Sequence, residues 1–292
     1  MSQIKSLILL RGGGDLASGV ALRLHRSGLS LVISELAQPL AVRRSVSFAE
    51  AVFEGQHSVE GVTARLVEQD QLSAALDMGE IPVLIDPDAD ILASLPFLVV
   101  VDARLTKQTP APLPAEVPLH IGLGPGFYAG RDCDAVIETR RSHTLGRVYW
   151  QGTSQADSGQ PEGNPRRVLR APADGIFVGH KKIGEHCESG EVVAEIESEN
   201  ESHSSHIVSQ LSGVLRGMLH DGLHVTKRLK VGDIDPRDDV SACYLVSDKA
   251  LAIGGGVLEA ILSNVEIRKE LLTTTPRKDV GQADTTEHKG ND

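Results

Sequence analysis

The 292-residue chain is short of cations. Its 29 Lys and Arg face 40 Asp and Glu, for a formal net charge of −11. Wrapping nucleic acid normally needs a basic face, so that class of partner is excluded, whereas a local basic pocket for a phosphorylated small molecule is not. Cysteine is scarce too. Cys133, Cys187 and Cys243 are far apart and odd in number, which rules against a disulfide framework and makes a reducing compartment the default. No segment approaches the roughly 20 apolar residues of a membrane span, and Ile4 to Leu10 is too short for the apolar core of a secretory leader. A cytoplasmic protein with no membrane partner is expected. Compact CxxC or HExxH spacing is also missing, so His186, His203, His206, His220 and His224 are expected in solvated loops and no metal site is expected.

What is present is an ordinary globular composition, 40% hydrophobic and 24% charged. Nearly continuous apolar runs, the mark of parallel strands buried on both faces, occur at Ile4–Leu10 and Leu29–Ser34. Shorter strands are expected at Val83–Ile85, Leu98–Val101, Leu119–Ile121 and Ala135–Ile137, and helices over 16–27 and, more weakly, 69–78. Gly28 stands where a helix ends. Strands alternating with helices predict an α/β fold, with a Rossmann-like, mostly parallel sheet over 1–150.

Residues 151–166, rich in Ser, Gly, Asp and Pro, read as a linker. Over 167–240 the sequence repeats at an offset of 38: Gly175, Gly179, Gly184 and His186 return as Gly213, Gly217, Gly222 and His224. Two interlocked β-halves follow, resembling the small all-β barrel-sandwich hybrid of biotinyl and lipoyl carrier domains. The stretch from Glu197 to His206, where carriers present their modified lysine, contains none, so covalent carriage is not expected. Residues 241–272 are expected to form a C-terminal strand and helix, the latter over 250–262 and opened by a glycine turn at Gly254–Gly256. Residues 273–292 read as a disordered tail.

The chemistry concentrates at strand ends. Gly12, Gly13, Gly14, Asp15, Leu16 and Ala17 follow the first strand with the Gly-x-Gly-x-x-Ala spacing. That spacing allows a sharp turn, close approach of backbone to a phosphate, and tight helix–strand packing. The helix N-terminus adds free N–H groups. Glu35, 21 residues beyond Gly14, ends the second strand where an acid accepts a ribose hydroxyl. The charge of Asp15 opposes a phosphate unless it points away. Gly122, Gly124 and Gly126 form a second glycine loop that, as another strand-end loop, is a candidate to face the same crevice. Arg104 and Lys107 are candidates for an anionic group, with Asp102 orienting them or binding a hydroxyl. Arg43 and Arg44, and Arg140 and Arg141, are phosphate-site candidates of equal standing with a solvated face. His143 is a weak acid–base candidate, and Cys133 is expected to be a plain free thiol rather than a reactive one.

Several motifs together carry a family resemblance: Arg11–Gly19 (RGGGDLASG), Ser34–Pro39 (SELAQP), Arg43–Val52 (RRSVSFAEAV), Val59–Val62, Ile85–Pro87, Ile121–Phe127 (IGLGPGF), Val136–Thr139, Leu169–Gly175 (LRAPADG), Lys230–Pro236 (KVGDIDP) and Asp248–Ala250 running on to Gly254–Ile261. Up to about Ser263 the chain resembles the YqeB family of accessory proteins of selenium-dependent molybdenum hydroxylase systems, whose N-terminal domain is similar to the Rossmann domain of XdhC chaperones. The resemblance implies maturation or insertion of the molybdenum cofactor, with a molybdenum hydroxylase apoenzyme or other maturation factors as partners; a homo-oligomer is left open. The expected ligand is a phosphorylated pterin, such as a molybdopterin-type cofactor, or a nucleotide such as NAD(P). An NAD(P)-dependent oxidoreductase and a non-catalytic docking or regulatory module remain alternatives. The family pattern has alanine where this chain has Gly13.

Overall fold

The computed structural model describes residues 6–157, 159, 163–198 and 204–273. In the N-terminal part the elements run β1 (Leu7–Arg11), α1 (Asp15–Arg26), β2 (Leu31–Glu35), α2 (Ala51–Glu54), β3 (Gln56–Val59), β4 (Val62–Leu66), α3 (Leu72–Asp77), β5 (Ile81–Ile85), β6 (Phe97–Asp102), β7 (Leu119–Leu123), β8 (Ala135–Ile137) and β9 (Val148–Tyr149). They build one nine-stranded sheet in the order β3-β4-β5-β2-β1-β6-β7-β8-β9. The seven strands from β4 to β8 are mutually parallel, and the outer strands β3 and β9 pair antiparallel.

The alternation of burial explains the continuous apolar run of β1. Ile8 and Leu10 enter a core shared with α1, while Leu7 and Leu9 enter a second core on the opposite face with Val32, Val100 and Leu72 of α3. Helix α1 stops in a paired C-terminal motif. Gly28, at φ +81°, donates to the His25 carbonyl (3.0 Å), and Leu29 donates to that of Leu24 (3.1 Å). The chain leaves β1 to one side, toward β2, and returns on the other at β6. The β1/β6 boundary is therefore the point where strand order reverses, and a crevice opens there at the carboxyl ends.

The second unit contains β10 (Val168–Arg170), β11 (Gly175–Gly179), β12 (His186–Cys187), β13 (Val192–Glu197), β14 (Ser204–Val208), β15 (Gly213–Met218), β16 (His224–Val225) and β17 (Lys230–Asp235). They form two four-stranded antiparallel sheets, β10-β17-β15-β12 and β14-β13-β11-β16, around their own core. Each sheet takes two strands from each copy of the repeat, so the halves are intertwined by an approximate two-fold. Gly175 and Gly213 show how deep the repeat goes. They sit at φ +149° and +154°, and a Cβ on either would run into the carbonyl of Glu197 or Asp235, which are themselves 38 residues apart. The tip of the β13–β14 hairpin, where the lysine-free stretch falls, lies outside the described residues, as does the expected tail from 274 onward.

After β17 the chain goes back to the first unit. Residues 241–272 contain no strand among those described: α4 (Asp248–Ser263) and α5 (Val265–Leu272) follow a short 3-10 turn. Helix α4 runs straight through Gly254–Gly256 instead of starting there, and its buried face, Ala250, Ile253, Val257 and Ile261, belongs to the core of the parallel sheet. The glycines are required by closeness. A Cβ on Gly19 would stand 2.5 Å from that of Ala250, and one on Gly254 would stand 2.8 Å from the Gly19 carbonyl oxygen, so α1 and α4 touch backbone to backbone. No single described helix is long and apolar enough to cross a membrane.

The segment 42–53 ties the units together. Arg44 Nε donates to the Met218 carbonyl (3.0 Å), Arg43 donates to those of Ala242 and Leu245 (3.0 and 3.1 Å), and Phe53 stacks on His220 with ring centres 4.2 Å apart.

Candidate functional site

The loop after β1 is fixed residue by residue. Gly12, at φ +93°, donates to the Ser34 carbonyl (2.8 Å) and makes the turn. The Gly13 carbonyl accepts from Ala49 N (2.9 Å) and from Ser18 Oγ (3.1 Å). A Cβ on Gly13 would lie 2.8 Å from Ala49 N, so a side chain here would force the neighbouring backbone to shift. Gly14 differs from both: it caps α1, no side chain satisfies the first turn, and a Cβ there would meet nothing within 4 Å. The start of α1, at Gly14 and Asp15, thus borders the crevice with no side-chain cap on its first turn. Ala17 is buried under the helix, while Leu16 faces a neighbouring hollow.

Glu35 closes one side. Its Oε2 accepts from Gly13 N (2.6 Å) and its Oε1 from Leu36 N (2.7 Å). Burial raises its pKa above the usual carboxylate range, and the two backbone donors pull it partly back. Remaining lone pairs on both oxygens can accept a diol.

The floor is an arginine pair about a buried acid. Asp102 is 0% exposed. Arg104 grips it with Nε on Oδ1 (2.9 Å) and Nη2 on Oδ2 (2.6 Å), and Arg11 Nη1 reaches Oδ2 at 3.4 Å. Arg11 also donates to the Pro87 carbonyl (3.1 Å), is 5% exposed, and has an Nε without a partner. Asp102 therefore orients arginines and is not itself open to a hydroxyl. Asp15 lies 3.8 Å from Arg43 Nη1, which offsets the charge that would oppose a phosphate. From the second unit Lys230 reaches the same crevice, its pKa lowered first of all by burial. The crevice volume is about 460 Å³, within the range of small-molecule sites. Its lining carries four cations, Arg11, Arg43, Arg104 and Lys230, and two acids, Asp15 and Glu35.

The second glycine loop does not line this crevice. Gly122 makes room for the Phe127 ring and Gly126 for the Thr106 carbonyl, while Gly124, at φ +85°, turns beside Thr139 Oγ1. These are packing roles. Only Pro125 of that loop borders the neighbouring hollow of about 660 Å³, together with Lys107, Arg140, Arg141, Arg167 and Lys249. Lys107 is bridged to Asp157 there, and Leu105, a non-glycine residue at φ +55°, borders both spaces. His143 is exposed and lines neither. Cys133 is buried with its thiol donating to the Ala135 carbonyl (3.2 Å), and desolvation pushes its pKa up to about 12, so no thiolate nucleophile is available. No group of three or more His, Cys, Asp or Glu side chains arranged to hold a metal ion occurs among the described residues.

Lys230 and Arg11 were not singled out from the residues as site candidates. For Lys230 a signal exists: the repeat places Val192 at the corresponding position, so a buried lysine breaks the pattern. Arg11 ends an apolar strand, where a charge faces the crevice by default.

No known family profile matches the chain. Weak likenesses are found to solved structures: an aspartoacylase family protein from Mesorhizobium loti (12% identity, TM-score 0.27, 79% of this chain and 84% of that one) and a succinylglutamate desuccinylase/aspartoacylase from Rhodobacter sphaeroides (15%, 0.26, 80% and 86%). Those scores are too low to assign a shared fold. In sequence the chain is 46% identical over 276 residues to the protein YqeB of Escherichia coli K12, itself described as uncharacterized, covering 91% of this chain and 50% of that protein. The chain spans about half the length of that relative, and over most of its own length it is similar to YqeB.

Proposed function

We propose that the chain is an accessory protein for maturation or insertion of the molybdenum cofactor in selenium-dependent molybdenum hydroxylases, and that it binds a phosphorylated pterin or nucleotide in the crevice at the β1/β6 boundary. The observation that carries the binding is the uncapped start of α1, opening at Gly14 between Glu35 and a cationic floor. Backbone N–H groups would hold a phosphate and Glu35 a hydroxyl. The parallel order β5-β2-β1-β6-β7-β8 supports a Rossmann-like domain, and the intertwined repeat supports a barrel-sandwich hybrid beside it. The maturation role rests on the motif set shared with the YqeB family, and the partner would be the hydroxylase apoenzyme or another maturation factor in the cytoplasm.

Native mass spectrometry of protein purified from its own host, followed by equilibrium titration, tests this. A co-purifying molybdopterin species or nucleotide that rebinds the emptied protein is the expected result. Protein that binds neither overturns the proposal, and hydride transfer from a substrate to bound NAD(P) would replace it with an oxidoreductase.

A further inference from the structure

The two sheets of the β unit are built from corresponding strands of the repeat and should be alike, and in backbone they are; in charge they are not. Lys230 and Arg216 of one sheet, and Arg167 in the turn just before its strand β10, stand where the repeat has Val192, Val178 and Ser205, whereas the acids Asp233 and Asp235 stand where it has Glu195 and Glu197. The acids are common to both sheets, whereas these three cations gather at one. That sheet, β10-β17-β15-β12, carries Lys230 into the crevice. Asp233 is bridged by Arg167 and Arg216, and Lys230 Nζ lies 3.9 Å from it. Lys230 is thus a cation beyond what the buried acid needs.

On the floor of the crevice Arg11 and Arg104 share one carboxylate, Asp102, and Arg11 keeps an unpartnered Nε although nearly buried. With Asp15 offset by Arg43, and with Asp86 and Asp88 near Arg11 but outside the lining, the positive charge that lines the crevice collects between Arg11, Arg104, Lys230 and the start of α1. A dinucleotide would bring two diester charges there and then continue toward the hollow beyond Leu105. A terminal phosphate brings close to two charges on one group and ends the ligand among those cations.

We propose that the crevice ligand carries a terminal phosphate, held between the α1 N-terminus and Arg11 and Arg104 on the sheet side and Lys230 on the β-unit side, so that the ligand bridges the two units. This rests on the crevice being a nucleotide or pterin site and specifies its ligand class.

The test is calorimetric titration of the full chain, wild type and Lys230→Met, with ADP and 6-hydroxymethylpterin diphosphate as terminally phosphorylated probes. Adenosine, 6-hydroxymethylpterin and NAD serve as comparators. Expected is that one phosphorylated probe, whichever matches the ring the crevice accepts, binds roughly tenfold or more tightly than its phosphate-free parent and than NAD. Lys230→Met should weaken that probe by a similar factor and leave the parent compound unchanged, with the melting temperature unaltered; Arg170→Met, on the exposed side of β10, should behave as wild type. If a probe binds wild type and Lys230→Met equally, or NAD binds as tightly as the best probe, the terminal-phosphate clamp is wrong and the crevice remains a ligand site. If none of the five compounds binds wild type, the reading of the crevice falls and the clamp with it.

Discussion

Gly13 donates its backbone N–H to Glu35 Oε2 at 2.6 Å, so the acid that ends β2 is fastened to the glycine loop that ends β1. Loop shape and acid position are one feature. Glu35→Ala should leave the Gly13 and Leu36 donors without their acceptor and lower stability by about 1–3 kcal/mol in urea denaturation. It should also weaken any crevice ligand. A variant that loses binding at unchanged stability would show the bond to be idle.

Neighbouring glycines of the loop should fail in different ways. Gly14→Ala adds a methyl that meets nothing in the protein but stands in the crevice, so the fold should hold within about 1 kcal/mol while ligand affinity drops. Gly13→Ala drives its methyl at Ala49 N and should destabilise by about 1–3 kcal/mol. Thermal melts beside titrations separate the two.

The triple glycine of α4 allows a graded test. Gly254→Ala presses on Arg23, Val20 and the Gly19 carbonyl and should cost about 1–3 kcal/mol. Gly255 faces open space within the helix, and Gly255→Ala should stabilise by about 0.5–1 kcal/mol. Equal effects at the two positions would contradict the packing of α4 on α1.

Asp235 supplies a pH dependence. Arg237 grips it from Nε (3.0 Å) and Nη2 (2.5 Å), Arg216 adds a bond at 2.9 Å, and its pKa falls to about 2. A depressed carboxylate contributes stability that is present above its ordinary pKa and lost as pH falls through the folded value. Asp235→Asn should therefore be about 2 kcal/mol less stable than wild type at neutral pH, and the gap should close between roughly pH 4 and pH 2. Stability curves across that range check it.

Cys133 should resist alkylation by iodoacetamide at pH 8 in the native protein and react only on unfolding, because desolvation holds its thiol protonated. Mapping the modified cysteines by mass spectrometry decides it.

Much of the sheet was readable because strands buried on both faces leave unbroken apolar runs, as in β1, β2, β6 and β8. The β3–β4 hairpin was not: Gln56, His57 and Ser58 are polar and largely exposed, and an edge strand needs only one buried face. The first glycine loop and Glu35 could be read from spacing, since turn, helix and acid lie within one βαβ unit. The division of labour between the two glycine loops could not, because Gly122 and Gly126 are explained by partners, Phe127 and Thr106, whose positions only tertiary packing supplies. Lys230 reaches its site from 215 residues beyond Asp15, across a unit boundary that local sequence does not describe.

The return of α4 to α1 has a consequence for biosynthesis. The face of α1 around Gly19 stays bare until residues 248–263 leave the ribosome, after the whole β unit has been made. The parallel sheet, although first in the chain, is then the last to be sealed, and the β unit between its parts is free to fold earlier. A nascent chain stopped near residue 240 would expose a helix face that holdase chaperones recognise, and the glycine ladder between α1 and α4 would act as the latch that ends that vulnerable interval.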